Sequence, residues 1–141
     1  MTAPMTGADL AAAALGLLGT PFRLHGREPG IALDCVGVIE AAFVRAGRAV
    51  HLANGYPLRN RAVPDDWLDP ARLGMEVVDD ALAPGDLLMV RPSPCQLHLA
   101  LVVCPASVVH AHAGLRRVVR GTLPPEWPRL RHWRIISNPG N

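Results

Sequence analysis

Cys35 lies between an aspartate and a valine-glycine pair in Ala32–Gly47, ALDCVGVIEAAFVRAG, where an apolar helical pattern begins. Asp34 suits the N-cap of that helix, and Val38, Ile39, Ala42, Phe43 and Ala46 carry the pattern to a stop at Gly47. A thiol in a first helical turn meets unpaired backbone N–H groups and the positive end of the helix dipole. That setting favours thiolate and can bring a cysteine from ~8.5 into the range of roughly 3.5–7.5. Position alone leaves two readings open: a nucleophile, or a small hydrophobe filling space between helix and sheet.

Histidines supply the rest of a reactive constellation. In QLHLALVV (Gln96–Val103), strand alternation sets His98 with Ala100 and Val102, and Leu97, Leu99, Leu101 and Val103 on the other face. In SVVHAH (Ser107–His112), His110 and His112 share the side of Val108. An imidazole on an apolar strand face requires a hydrogen-bond partner, and a second imidazole or a thiolate would serve. Covalent catalysis needs a nucleophile, a base within its reach and a third group that orients the base; Cys35, His98 and His110 fit these roles. His112 has the same parity as His110 and competes for the third. His25, His51 and His132, taken singly, read as loop or surface residues. Cys95, His98, Cys104 and His110 also offer thiolate and imidazole to a zinc ion. The Cys104–His110 stretch straddles a proline turn, however, and no second tight ligand pair exists.

The elements that must position these residues follow from the patterning. Thr6, with Asp9 three residues on, caps a first helix that Gly19-Thr20-Pro21 stops. A Gly- and Pro-rich loop leads to the Cys35 helix, and His51–Val77 reads as irregular with a short helix near Trp67. From Gly85, GDLLMVR, LHLALVV, SVVHAH, LRRVVRG and RHWRIIS are short alternating or β-branched runs divided by turn residues. Helices first and a mostly antiparallel sheet of five to six strands afterwards define an α+β domain. Residues 1–141 read as a single domain, since the length suits one core and no internal boundary is visible.

Composition excludes several classes. With 50% hydrophobic and 18% charged residues the chain is not disordered, and no apolar run is long enough to span a membrane. A net charge of +2 does not suggest a nucleic-acid binder, although Arg116, Arg117, Arg120, Arg129, Arg131 and Arg134 crowd the last quarter. Three irregularly spaced cysteines exclude a complete disulfide framework. The N-terminal Ala/Leu run has no basic residue before it and carries Asp9, so it reads as a helix and not as a secretion signal.

Five stretches in order resemble the NlpC-type cell-wall cysteine peptidases: LGTPFRLHG (Leu18–Gly26), DCVG (Asp34–Gly37), PGDL (Pro84–Leu87), HLAL (His98–Leu101) and VHA (Val109–Ala111). The twelve-residue spacing from His98 to His110 also matches. The resemblance implies a compact papain-like fold, with Cys35 as nucleophile, His98 as general base and His110 as its orienter, and leaves His112 unassigned. It implies hydrolysis of an amide in peptidoglycan stem peptides, typically after D-glutamate and before a diamino acid, with no cofactor. Phe22, Asp34 and Val36 would border the substrate or the oxyanion. Phe22 stands where the family has a tyrosine near the nucleophile, its glycine pair has become His25-Gly26 or has shifted, and Val36 replaces the serine of its DCSG. Such DCVG variants resemble tail-tip proteins of phages and gene transfer agents. That implies tail-tip or baseplate partners, a place in the particle tail, and delivery to the wall by injection. The departures at Phe22 and His25 also allow a structural tail or hub protein that keeps the fold without the activity.

Overall fold

The computed structural model describes residues 5–52, 70–94 and 96–136. Thr6 opens helix α1 (Gly7–Leu15) with a reciprocal capping box: the Asp9 N–H donates to Thr6 Oγ1 at 3.1 Å, and the Thr6 N–H donates to Asp9 Oδ2 at 3.0 Å. The chain then forms a two-stranded antiparallel ribbon, β1 (Arg27–Glu28) and β2 (Ala32–Leu33), within the stretch expected as loop. Helix α2 (Cys35–Arg45) follows directly, and Gly47, at φ +103°, lets the backbone turn away from its end.

Six strands build one sheet: β3 (Met75–Val77), β4 (Leu87–Val90), β5 (His98–Cys104), β6 (Ser107–His112), β7 (Arg117–Gly121) and β8 (Arg129–Ile135). Their spatial order is β3-β8-β4-β5-β6-β7, and every neighbouring pair is antiparallel. The five expected runs became β4 to β8. The short strand β3 lies in the stretch expected to be irregular, held by pairing with β8 that its own three residues do not advertise. The helix expected near Trp67 falls outside the described residues.

Alternation along the strands sorts the core into two layers. Leu87, Met89, Leu99, Leu101, Val109, Ala111 and Trp133 face α1 and α2, where they meet Leu10, Ala14, Ile39, Ala42 and Phe43. Leu88, Val90, Ala100, Val102 and Val108 form a smaller layer on the opposite face, beneath Leu82, Leu123 and Trp127. Among the described residues, no helix is long and apolar enough to cross a membrane.

His132 corrects an expectation. It is no surface residue: its Nε2 lies 2.6 Å from Oδ2 of Asp86, which is fully buried, while Arg134 Nε donates to Asp86 Oδ1 at 2.9 Å. Burial alone would raise the Asp86 carboxyl. Hydrogen bonds from Arg134 and His132 more than offset it and hold the group below its ordinary range. The aspartate of PGDL is thus a clasp between the start of β4 and strand β8.

Candidate active site

The start of α2 is fixed by Asp34 and two glycines. Buried Asp34 accepts the Gly37 N–H at 2.7 Å through Oδ1 and the His25 N–H at 2.8 Å through Oδ2, so one carboxylate both caps the helix and ties down the preceding loop. Gly37 faces the Gly26 carbonyl so closely that a Cβ would overlap it, and a Cβ on Gly26 would come 2.6 Å from the Ala32 carbonyl carbon. His25 has φ +65°, the left-handed conformation that glycine adopts at no steric cost. This accounts for the glycine pair of the resembling sequences. Relief of left-handed strain, less the extra chain entropy of glycine, should make His25→Gly more stable by about 0.5–1 kcal/mol. Urea unfolding checks this; a lower midpoint would mean that the His25 side chain contributes more than its backbone costs.

Cys35, the first residue of α2, is only 3% exposed. The thiol is not the acidic group that its position suggests: burial pushes it up to about 12. The Leu99 backbone N–H works in the opposite direction, the neighbouring Asp34 carboxylate adds to the rise, and the Val36 and Cys35 amides lower it slightly. Magnitudes explain the outcome. A helix N-terminus contributes up to ~2 kcal/mol, whereas full burial can shift a group by about 3–5 pKa units. The acidic thiol is instead Cys104, drawn down to about 7 by the Ser107 hydroxyl at 3.1 Å, the Ala106 amide and, at 3.8 Å, Arg120 Nη2.

His98 opens β5 and His110 lies near the end of β6. Their rings meet edge to face, with His98 Nε2 and His110 Nδ1 2.8 Å apart. Burial lowers His98 to about 3 and His110 to about 4, so both imidazoles are neutral at pH 7. Proximity to His112 adds to the effect on both, and His110 adds to it at His98. With Nε2 engaged by His110, the nitrogen that His98 has left is Nδ1. His112 does not join the pair: its Nδ1 accepts the Leu115 N–H at 3.0 Å, and its ring centre is 5.7 Å from that of His110.

Cys35, His98, His110 and His112 line one cavity of about 290 Å³, whose walls include Phe22, Gln96 and Trp127. Among the described residues, no hydrogen bond joins Cys35 to His98. Val36 is buried, and Phe22 brings a ring without a hydroxyl to the cavity wall. Sequence reasoning missed Trp127, which packs edge-on to His98 with ring centres 6.0 Å apart, and Gln96. Trp127 sits after a Pro-Pro turn with no regular spacing to reveal it. Gln96, two residues before His98, was open to notice. A larger cavity of about 450 Å³ lies over the same sheet face as the imidazoles, against Leu88, Val90 and Val108 and sharing the Trp127 wall, and no described thiol, imidazole or carboxylate lines it.

The zinc set does not assemble. His98 and Cys104 stand at opposite ends of β5, about 20 Å apart along an extended strand, too far to share an ion. Among the described residues, no group of three metal-ligating side chains converges; Cys95 lies outside them.

A helix-borne thiol and strand-borne imidazoles around one cavity, on an antiparallel six-stranded sheet, constitute a papain-like α+β fold. Solved structures carry the comparison further. The chain superposes on NlpC1 and NlpC2 from Trichomonas vaginalis with TM-scores of 0.66 and 0.67 at 19% and 16% identity. It matches over 94% and 96% of its own length but only 46% and 48% of theirs, so it spans about half of each. The NlpC/p60 domain of the peptidoglycan hydrolase SagA matches with a TM-score of 0.55 at 22% identity, over 82% of this chain and 88% of that one. The fold is therefore that of NlpC/P60 domains. No family model and no curated protein matches the sequence.

Proposed function

We propose that this chain is a cysteine endopeptidase of peptidoglycan stem peptides, cutting an amide after D-glutamate and before a diamino acid. The observation that carries the reading is the bonded pair His98–His110 lining the same cavity as the thiol at the first residue of α2. With the resting thiol and imidazole both neutral, proton transfer to His98 Nδ1 accompanies attack of sulfur on the carbonyl carbon. His98 Nε2–H then donates to His110 Nδ1, which stabilises the imidazolium, and backbone N–H groups at the helix start face the new oxyanion. Collapse breaks the C–N bond, the leaving amine takes the proton from His98, and water, with His98 again as base, releases the thioester.

The test is digestion of purified sacculi by wild type and Cys35→Ser, with mass analysis of released muropeptides. Cleavage by wild type alone is expected. Intact sacculi with both proteins would favour the second reading, a structural tail or hub protein, to which the buried neutral thiol and Phe22 lend weight. Delivery by a tail-like particle belongs to the same proposal and is supported by the DCVG variant of the motif. It requires the chain to be found with tail-tip or baseplate proteins in purified particles.

A further inference from the structure

We propose that His112 is a catalytic residue of this site, donating from Nε2–H to the carbonyl oxygen of the scissile amide in place of the hydroxyl that Phe22 lacks. The proposal rests on the peptidase reading above. His112 ends β6, two residues beyond His110 on the same strand face, and lines the cavity with Cys35 and Phe22. Its Nδ1 accepts the Leu115 N–H from the turn that joins β6 to β7. A ring nitrogen that accepts carries no proton, so the hydrogen of this imidazole resides on Nε2. The turn therefore fixes the tautomer.

Gly114 leaves room for that arrangement. A Cβ there would stand 3.0 Å from His112 Cε1 and 3.3 Å from Nδ1, so a side chain would press on the ring. Of the other imidazoles, His98 spends Nε2 on His110 and keeps Nδ1 for the thiol proton, and His110 meets His98 through Nδ1. A donor already held in one tautomer loses little freedom when the carbonyl oxygen becomes an oxyanion, which is where such a bond contributes most to rate.

The test combines kinetics with a binding measurement. His112→Ala should lower kcat by about 10²-fold with little change in KM, as expected for a bond made chiefly in the transition state. His112→Gln, whose amide nitrogen can still donate, should recover most of the rate. Phe22→Tyr placed in the His112→Ala chain should also raise kcat, by returning a hydroxyl to the same cavity. A His112→Ala kcat within twofold of wild type, or no gain from tyrosine in that chain, would overturn the proposal.

The binding measurement does not depend on turnover. Cys35→Ser protein is titrated with a γ-D-glutamyl-diaminopimelate peptide while the imidazole ¹⁵N signals are followed. The His112 Nε2 signal should move on binding and the tautomer should persist. Peptide binding, or wild-type turnover, with an unmoved His112 signal removes this inference alone. Neither binding nor turnover removes the peptidase reading and this inference together.

Discussion

His98→Ala should reduce stem-peptide cleavage by at least about 10³-fold, since it removes the acceptor for the thiol proton and general base catalysis commonly supplies 10²–10⁴-fold. His110→Gln should stay within roughly tenfold of wild type, because its amide oxygen can still accept His98 Nε2–H, whereas His110→Ala should lose about 10²-fold. Equal loss in the glutamine and alanine variants would show that the 2.8 Å contact orients nothing. The pH profile offers an independent check. His98 accepts a proton only when neutral, and burial holds it neutral down to about 3, so the acid limb of kcat/KM should fall well below the ordinary imidazole value of 6.5. A limb at the ordinary value would mean that the free site is wetter around His98 than its burial implies.

Iodoacetamide at neutral pH should modify Cys104 before Cys35 by about 10²–10³-fold. With one thiol near 7 and the other near 12, their thiolate populations differ by about 10⁵-fold. The lower intrinsic nucleophilicity of the more acidic thiolate offsets roughly half of that on a logarithmic scale. Peptide mapping after brief labelling gives the ratio directly, and Cys104→Ser should remove the early product. Faster labelling of Cys35 would show that the cavity opens to water often enough for the helix N-terminus to dominate its acidity.

The fold was legible where patterning is local. Thr6 and Asp9 mark one helix start and Asp34 another, and five alternating runs mark strands because each carries its own periodicity. Strand β3 and the β1–β2 ribbon were hidden, since their few residues are held by pairing partners that no local pattern reveals. The site was legible as a set of residues but not as an electrostatic state. The helix start signals an acidic thiol, yet burial under distant strands decides the matter, and burial is a property of the whole fold. Parity likewise could not choose between His110 and His112. Continuing the register Leu101–Val109 and Val102–Val108 would set His112 across from His98, but the observed bond runs to diagonal His110. His132 looked exposed because its partner, Asp86, is 46 residues away in the chain.

Strands β5 and β6 form a hairpin whose turn, Pro105-Ala106, lies at the far end from the His98–His110 pair. Side chains alternate every residue, so the length of that turn decides which imidazoles face each other. One residue inserted there would slip β6 by a single position, send His110 toward the helices and bring Val109 out in its place. Two inserted residues would restore the face but displace His110 by about 7 Å along β5. The hairpin turn should therefore tolerate exchange of its residues far better than a change in their number. A fusion or epitope placed there would silence the site without touching any residue that lines it.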